Sequence, residues 1–120
     1  MSSLLAKKRR WMMNNKWFNH LGLAMRAGKV ITGEDSVIDS VRKGEAKLVI
    51  VAEDASPNTL KKVSDKCSTY RVPLHQYGSR EQLGASIGKE TRVVIAVIDA
   101  GFAKMLKKSL ENRTEVDSIE

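Results

Sequence analysis

A chain of 120 residues with a single cysteine and a formal charge of +7 has the size of one ordinary domain. It excludes a disulfide-stapled secreted scaffold, because Cys67 has no second thiol to pair with. No apolar run, Leu48 to Ala52 included, approaches the ~20 residues that a membrane-spanning helix needs.

The surplus charge is uneven: residues 1–16 carry +5, residues 17–110 another +5, and residues 111–120 carry −3. The body is therefore basic even without the cluster Lys7, Lys8, Arg9, Arg10, and a polyanion is the expected partner. No apolar stretch follows that cluster, so a signal peptide is not expected and the cytoplasm is the default compartment. Residues 1–14 read as a disordered basic arm, 15–110 as one domain and 111–120 as a frayed acidic tail. Met12 and Met13, just ahead of the first periodic segment, are candidate natural starts.

A first helix is predicted from Asn15, with Trp17, Leu21 and Ala24 at helical spacing and Gly28 as its stop. Lys29 to Thr32 reads as a short strand. Gly33 then opens a second helix whose Glu34 and Asp35 suit the positive end of its dipole, with Val37, Ile38 and Val41 facing inward. Lys47 to Ala52 is a continuous apolar strand, the pattern of one covered on both faces. Ser56 and Pro57 form a cap and first-turn pair for a third helix striped by Leu60, Val63, Cys67 and Tyr70. Pro73 to Tyr77 is predicted as an edge strand, since proline cannot donate within a central one. Ser79 caps a short helix reaching about Ile87, Arg92 to Ile98 forms another buried strand, and Phe102, Leu106 and Leu110 stripe the last helix. Alternation of this kind predicts an α/β fold, a three-layer α/β/α sandwich with a central four-stranded mixed sheet.

Catalytic constellations are poorly supplied. His20 and His75 each stand in an ordinary helix or strand context, and Cys67 lies inside an apolar stripe, as a packing residue does. No Cys or His pair has metal-ligand spacing, and no glycine-rich phosphate loop occurs, so neither a cofactor nor an enzymatic activity is expected. Gly78, Gly84 and Gly88 read as turn and cap residues. Glu53 and Asp54 end a strand without an evident acid–base partner.

Three loops carry the binding expectation. Thr32-Gly33-Glu34-Asp35-Ser36 offers unpaired helix-start amides to an anion, and Asp35 could accept from a guanine amino edge. Ala52 to Pro57 places Ala55 between polar residues. Gly88 to Arg92, with Arg80 near the preceding helix start, supplies Lys89, Arg92 and Arg80 for phosphates.

In order and spacing, three elements resemble the kink-turn-binding ribosomal protein family. They are Gly33 to Val37 with Val41 and Gly44; Leu48 to Pro57; and Val72-Pro73 followed by Ser79-Arg80, Leu83-Gly84 and Ile87-Gly88. Leu-Gly-Leu-Ala (21–24), Gly-Glu-Asp (33–35) and Asp-Lys-Cys (65–67) look most like the bacterial YlxQ group. The resemblance, covering about residues 16–108, implies an α/β/α sandwich that binds a sharply bent RNA built around sheared guanine–adenine pairs. It implies that Gly33 is a close-approach glycine and that Lys43 and Arg80 contact phosphate. It also implies that the helix at Gly33 reads guanines, and that the loops after Ala52 and Gly88 flank a flipped-out nucleotide. Departures from the family pattern are Asp35 and Ser36 where strong binders carry asparagine and glutamate, Asp39 where they carry lysine, and a polar loop after Gly88.

The expected function is a non-catalytic, monomeric RNA-binding protein for kink-turn-like structured RNA. The site set is Gly33, Glu34, Asp35, Ser36, Lys43, Asp54, Ala55, Arg80, Lys89 and Arg92. The rival readings are a protein-interaction module on the ribosome or a translation factor, favoured by Asp39 and the polar loop, and an RNA-acting enzyme.

Overall fold

The computed structural model describes the backbone of residues 16–119 and side chains through residue 111. The expected basic arm lies outside those residues. Helix α1 spans 16–26, followed by β1 (Val30–Thr32), α2 (Glu34–Arg42), β2 (Leu48–Val51), α3 (Pro57–Tyr70), β3 (Leu74–Gln76), α4 (Arg80–Ser86), β4 (Val94–Val97) and α5 (Ala100–Ile119). The tail expected to fray, residues 111–120, lies outside the described side chains except for residue 111.

The four strands form one mixed sheet in the order β1-β4-β2-β3. β4 runs antiparallel to both β1 and β2, with Thr32 opposite Ile95 and Val51 opposite Val94, while β2 and β3 are parallel. The two continuous apolar strands, β2 and β4, occupy the centre and are buried at every position. β3, preceded by Pro73, is an edge, as proline requires.

Two cores sandwich the sheet. Trp17, Phe18 and Leu21 of α1, Leu83 of α4 and Leu106 of α5 pack on one face against Leu48, Ile50, Ile95 and Val97. Val37, Ile38 and Val41 of α2 with Val63 and Cys67 of α3 cover the other, against Val49, Val51, Val94 and Ala96. The alternation of these strand residues between faces is the pleat's period of two. Trp17 meets Phe18 edge-on at 5.1 Å and Tyr77 at 4.6 Å between ring centroids, contacts worth about 0.5–1.5 kcal/mol each beyond area burial.

Burial also governs the chemistry of Cys67 and His75. The Cys67 thiol is pushed up to about 11 by desolvation in the α2–α3 core, so little thiolate exists at neutral pH. Iodoacetamide is expected to label the native chain far more slowly than the chain in denaturant; equal rates would contradict this placement. His75, on edge strand β3, has its buried Nδ1 without a partner. Desolvation, then Lys107, lowers its pKa from 6.5, with Glu111 opposing. With the folded pKa depressed, the unfolded chain takes up its proton first. The contribution of His75 to stability is therefore present above pH 6.5 and is lost as pH falls through 6.5 towards the folded value. Urea midpoints at pH 8 and pH 5.5 should differ less in His75→Gln than in the parent.

Candidate nucleic-acid interface

The strand directions decide where the loops gather. β1, β2 and β3 run one way and β4 the other, so the ends of the first three meet the start of β4 at one pole. The starts of α2, α3 and α4 and the α4–β4 loop are consequently brought together. Backbone hydrogen bonds stitch this rim: Gly33 N–H donates to Val94 O at 3.2 Å, Ala52 to Val93 at 2.8 Å, Glu53 to Gly78 at 2.8 Å and Arg92 to Arg80 at 3.0 Å.

The rim encloses an open cleft of about 520 Å³, walled by Thr32, Gly33 and Glu34 from the β1–α2 loop, Ser56 and Thr59 from the start of α3, Arg80 from α4, and Thr91 to Val94. The helix starts around it differ in one respect. Ser56 accepts from Thr59 N–H at 3.2 Å and Ser79 from Gln82 N–H at 3.1 Å, the latter within a complete capping box. At α2 the N-cap is Gly33, with no side-chain acceptor. Gly33 holds φ 97°, ψ 139°, backbone that a side chain would strain. The first-turn amides of α2 therefore lie at the cleft without a side-chain cap, at the positive end of the helix dipole.

Arg80 is held in place. Its Nη2 donates to Asp54 O at 2.7 Å, its Nε lies 3.4 Å from Asp54 Oδ2, and its backbone N–H donates to Asp54 Oδ1 at 3.0 Å. A half-exposed pair of this kind adds little stability. Its effect is to fix the direction of the guanidinium at the cleft wall. Arg92 donates through Nη1 to Thr91 O at 2.7 Å. Lys62 reaches from α3 to Glu34 at 3.3 Å, tying α3 to the lip of α2.

Residues 15–107 match the ribosomal protein L7Ae/L30e/S12e/Gadd45 family. The chain belongs to that family. It is 56% identical over 100 residues to the RNA-binding protein YlxQ of Bacillus subtilis, covering 83% of this chain and 100% of that protein. A solved structure of a protein of unknown function from Bacillus halodurans superposes with a TM-score of 0.78 at 46% identity, over 80% of this chain and 97% of that one. The Giardia lamblia 15.5kD RNA binding protein shares the fold, with a TM-score of 0.71 at 21% identity, over 83% and 89% of the two chains.

Of the residues singled out from the sequence, the L7Ae-type fold brings Gly33, Glu34, Arg80 and Arg92 into the cleft wall. Asp35 and Ser36 stand exposed on the adjoining turn of α2. Asp54 serves the site through Arg80, and Ala55 packs against the α2–α3 core. Lys89 is exposed in the α4–β4 loop, its amide bonded to Gly84 O at 2.8 Å. Lys43 is not brought to the cleft: as the C-cap of α2 it lies about 13 Å of helix away, paired with Asp39 at 3.0 Å. Sequence reasoning missed Thr59, Val93 and Val94 as wall residues, because nothing in the sequence shows which faces of α3 and β4 turn to a cleft. Ser56 lay inside the singled-out Ala52 to Pro57 loop, though not in the site set, and was also read as a cap. Thr32 and Thr91 lay inside two singled-out loops, where a hydroxyl beside a candidate anion site was the available signal.

Proposed function

We propose that this protein binds kink-turn-like structured RNA through the cleft, as a monomer and without catalysis. The observation that carries the reading is the uncapped start of α2 facing Arg80 and Arg92 across one open cleft. Amide donors suit base edges and phosphate oxygens, and two guanidinium groups suit backbone charge. Family membership and the relatives, RNA-binding proteins among them, support the same reading.

A gel-shift series with a kink-turn RNA, beside a control whose sheared pairs are replaced by Watson–Crick pairs, tests it. Preference for the kink-turn should be about ten-fold or more, since a good base contact is worth about 1–3 kcal/mol. Equal affinity for the two RNAs would remove kink-turn recognition. The second reading, a protein-interaction module, is favoured by the carboxylates Glu34, Asp35, Glu53 and Asp54 around the cleft. Nuclease-resistant capture of one partner, lost on substitution at the cleft, would support it.

A further inference from the structure

The loops and first helical turns at the cleft carry Glu34, Asp35, Glu53, Asp54, Glu81 and Glu90 against Arg80, Lys89 and Arg92. The positive surplus of the folded body is thus not at the cleft. The same strand directions that build the cleft collect a different set at the opposite pole: Arg26, Lys29, Arg42, Lys43, Lys47 and Arg71, all exposed. Lys29 and Lys47 flank the end of β4 directly. Ile98 N–H donates to Lys29 O at 2.9 Å and Lys47 N–H to Val97 O at 2.8 Å, which sets their backbones about 10 Å apart, two strand spacings. Arg71 stands at the C-cap of α3 and Arg42 in the last turn of α2, where the helix dipoles are negative and cations are favoured. Of the carboxylates at this pole, Asp39 is spent on Lys43, Asp99 accepts from Phe102 N–H at 2.9 Å, capping α5, and Glu45, exposed in the α2–β2 loop, acts electrostatically on Lys43. Among the described residues no carboxylate is ion-paired with Arg26, Lys29, Arg42, Lys47 or Arg71.

We propose that this pole is a second RNA contact surface, taking the phosphate backbone of a duplex without reading sequence, so that one domain bridges two RNA segments. The bridging role rests on the cleft reading; the duplex contact at this pole does not. Lone lysines and arginines across a sheet end supply point charges to successive phosphates but no apolar core or shaped pocket. That is the composition of a backbone contact and not of a protein interface, whose core is depleted in charged residues and enriched in aromatic ones.

The test uses the full chain and a variant carrying Lys29→Gln, Arg42→Gln, Lys47→Gln and Arg71→Asn. Both proteins keep residues 1–16, so their difference reads the pole alone. Each is saturated with a short unlabelled kink-turn RNA and titrated with a labelled plain RNA duplex over a range of salt. The variant should bind the duplex about ten-fold more weakly at low salt, with a log–log salt slope shallower by about three to four units. Its affinity for the kink-turn RNA and its melting temperature should stay close to the parent's. Unchanged duplex binding in the variant would overturn the proposal. So would an equal loss of duplex binding in an Arg80→Ala, Arg92→Ala variant, which would place duplex and cleft ligands on one surface. If kink-turn RNA fails to bind the parent at all, the duplex titration alone still decides the proposal.

Discussion

Gly84→Ala is expected to lower the melting temperature by on the order of 15 °C, although alanine at a helix interior ordinarily stabilises by about 1 kcal/mol over glycine. The reversal is steric. Gly84 sits inside α4, and a Cβ there would fall 1.3 Å from the carbonyl oxygen of Glu90 and 2.5 Å from its carbon. Both obstacles are main chain, so no rotamer change relieves them, and the α4–β4 loop must lift away from the helix. That movement breaks the 2.8 Å bond from Lys89 N–H to Gly84 O and strands buried Leu83 and Ile87 beside a displaced loop. A cost of about 3 kcal/mol follows, the upper part of the overpacking range. Gly88→Ala is the control: it meets nothing within 4 Å and pays only for its positive φ of 72°, about 1–2 kcal/mol. Thermal melts of the two variants should rank Gly84→Ala clearly below Gly88→Ala. Equal melts would mean that the loop does not rest on α4.

The same glycine shows where sequence reasoning stops. Gly84 reads as a turn or cap residue because its contact partner, Glu90, touches it only after the chain has folded back on itself. The central strands were legible for the opposite reason. Burial on both faces leaves a continuous apolar run in the sequence itself, at Leu48 to Val51 and at Val94 to Val97. Pro73 marked an edge and Ser56 and Ser79 marked helix starts, each through a local backbone requirement. Strand order has no such local signature. That β4 pairs antiparallel with both β1 and β2 is a long-range feature, and the strand directions decide which loops share a pole. From them follows the gathering of Gly33, Arg80 and Arg92, whereas Lys43 lies away because it ends the helix that Gly33 opens. The net charge of the body pointed to a polyanion without saying which pole carries it. Asp54 was legible as a site residue, but its bond to Arg80 was not, because it spans 26 positions.

Arg80→Ala is expected to weaken kink-turn RNA binding by about ten- to one-hundred-fold, the loss of a charge-assisted hydrogen bond worth about 1.5–3 kcal/mol. Arg80 should outweigh Arg92 and Lys89 because Asp54 already fixes its guanidinium at the wall, so less side-chain entropy is lost on binding. The log–log salt slope should become shallower by about one unit. Part of the loss comes from Asp54, whose carboxylate remains at the cleft once its cation is gone, while the Arg80 backbone amide that it accepts from is retained in the variant. Adding Asp54→Asn to Arg80→Ala should therefore recover some affinity, and Arg80→Lys should keep the salt slope while losing the two-point contact to Asp54 O and Oδ2. Binding isotherms at two salt concentrations for these three variants, beside Lys108→Ala on the exposed face of α5, separate the terms. A loss for Arg80→Ala no larger than that for Lys108→Ala would take the arginine off the interface, and with it the claim that the cleft meets RNA.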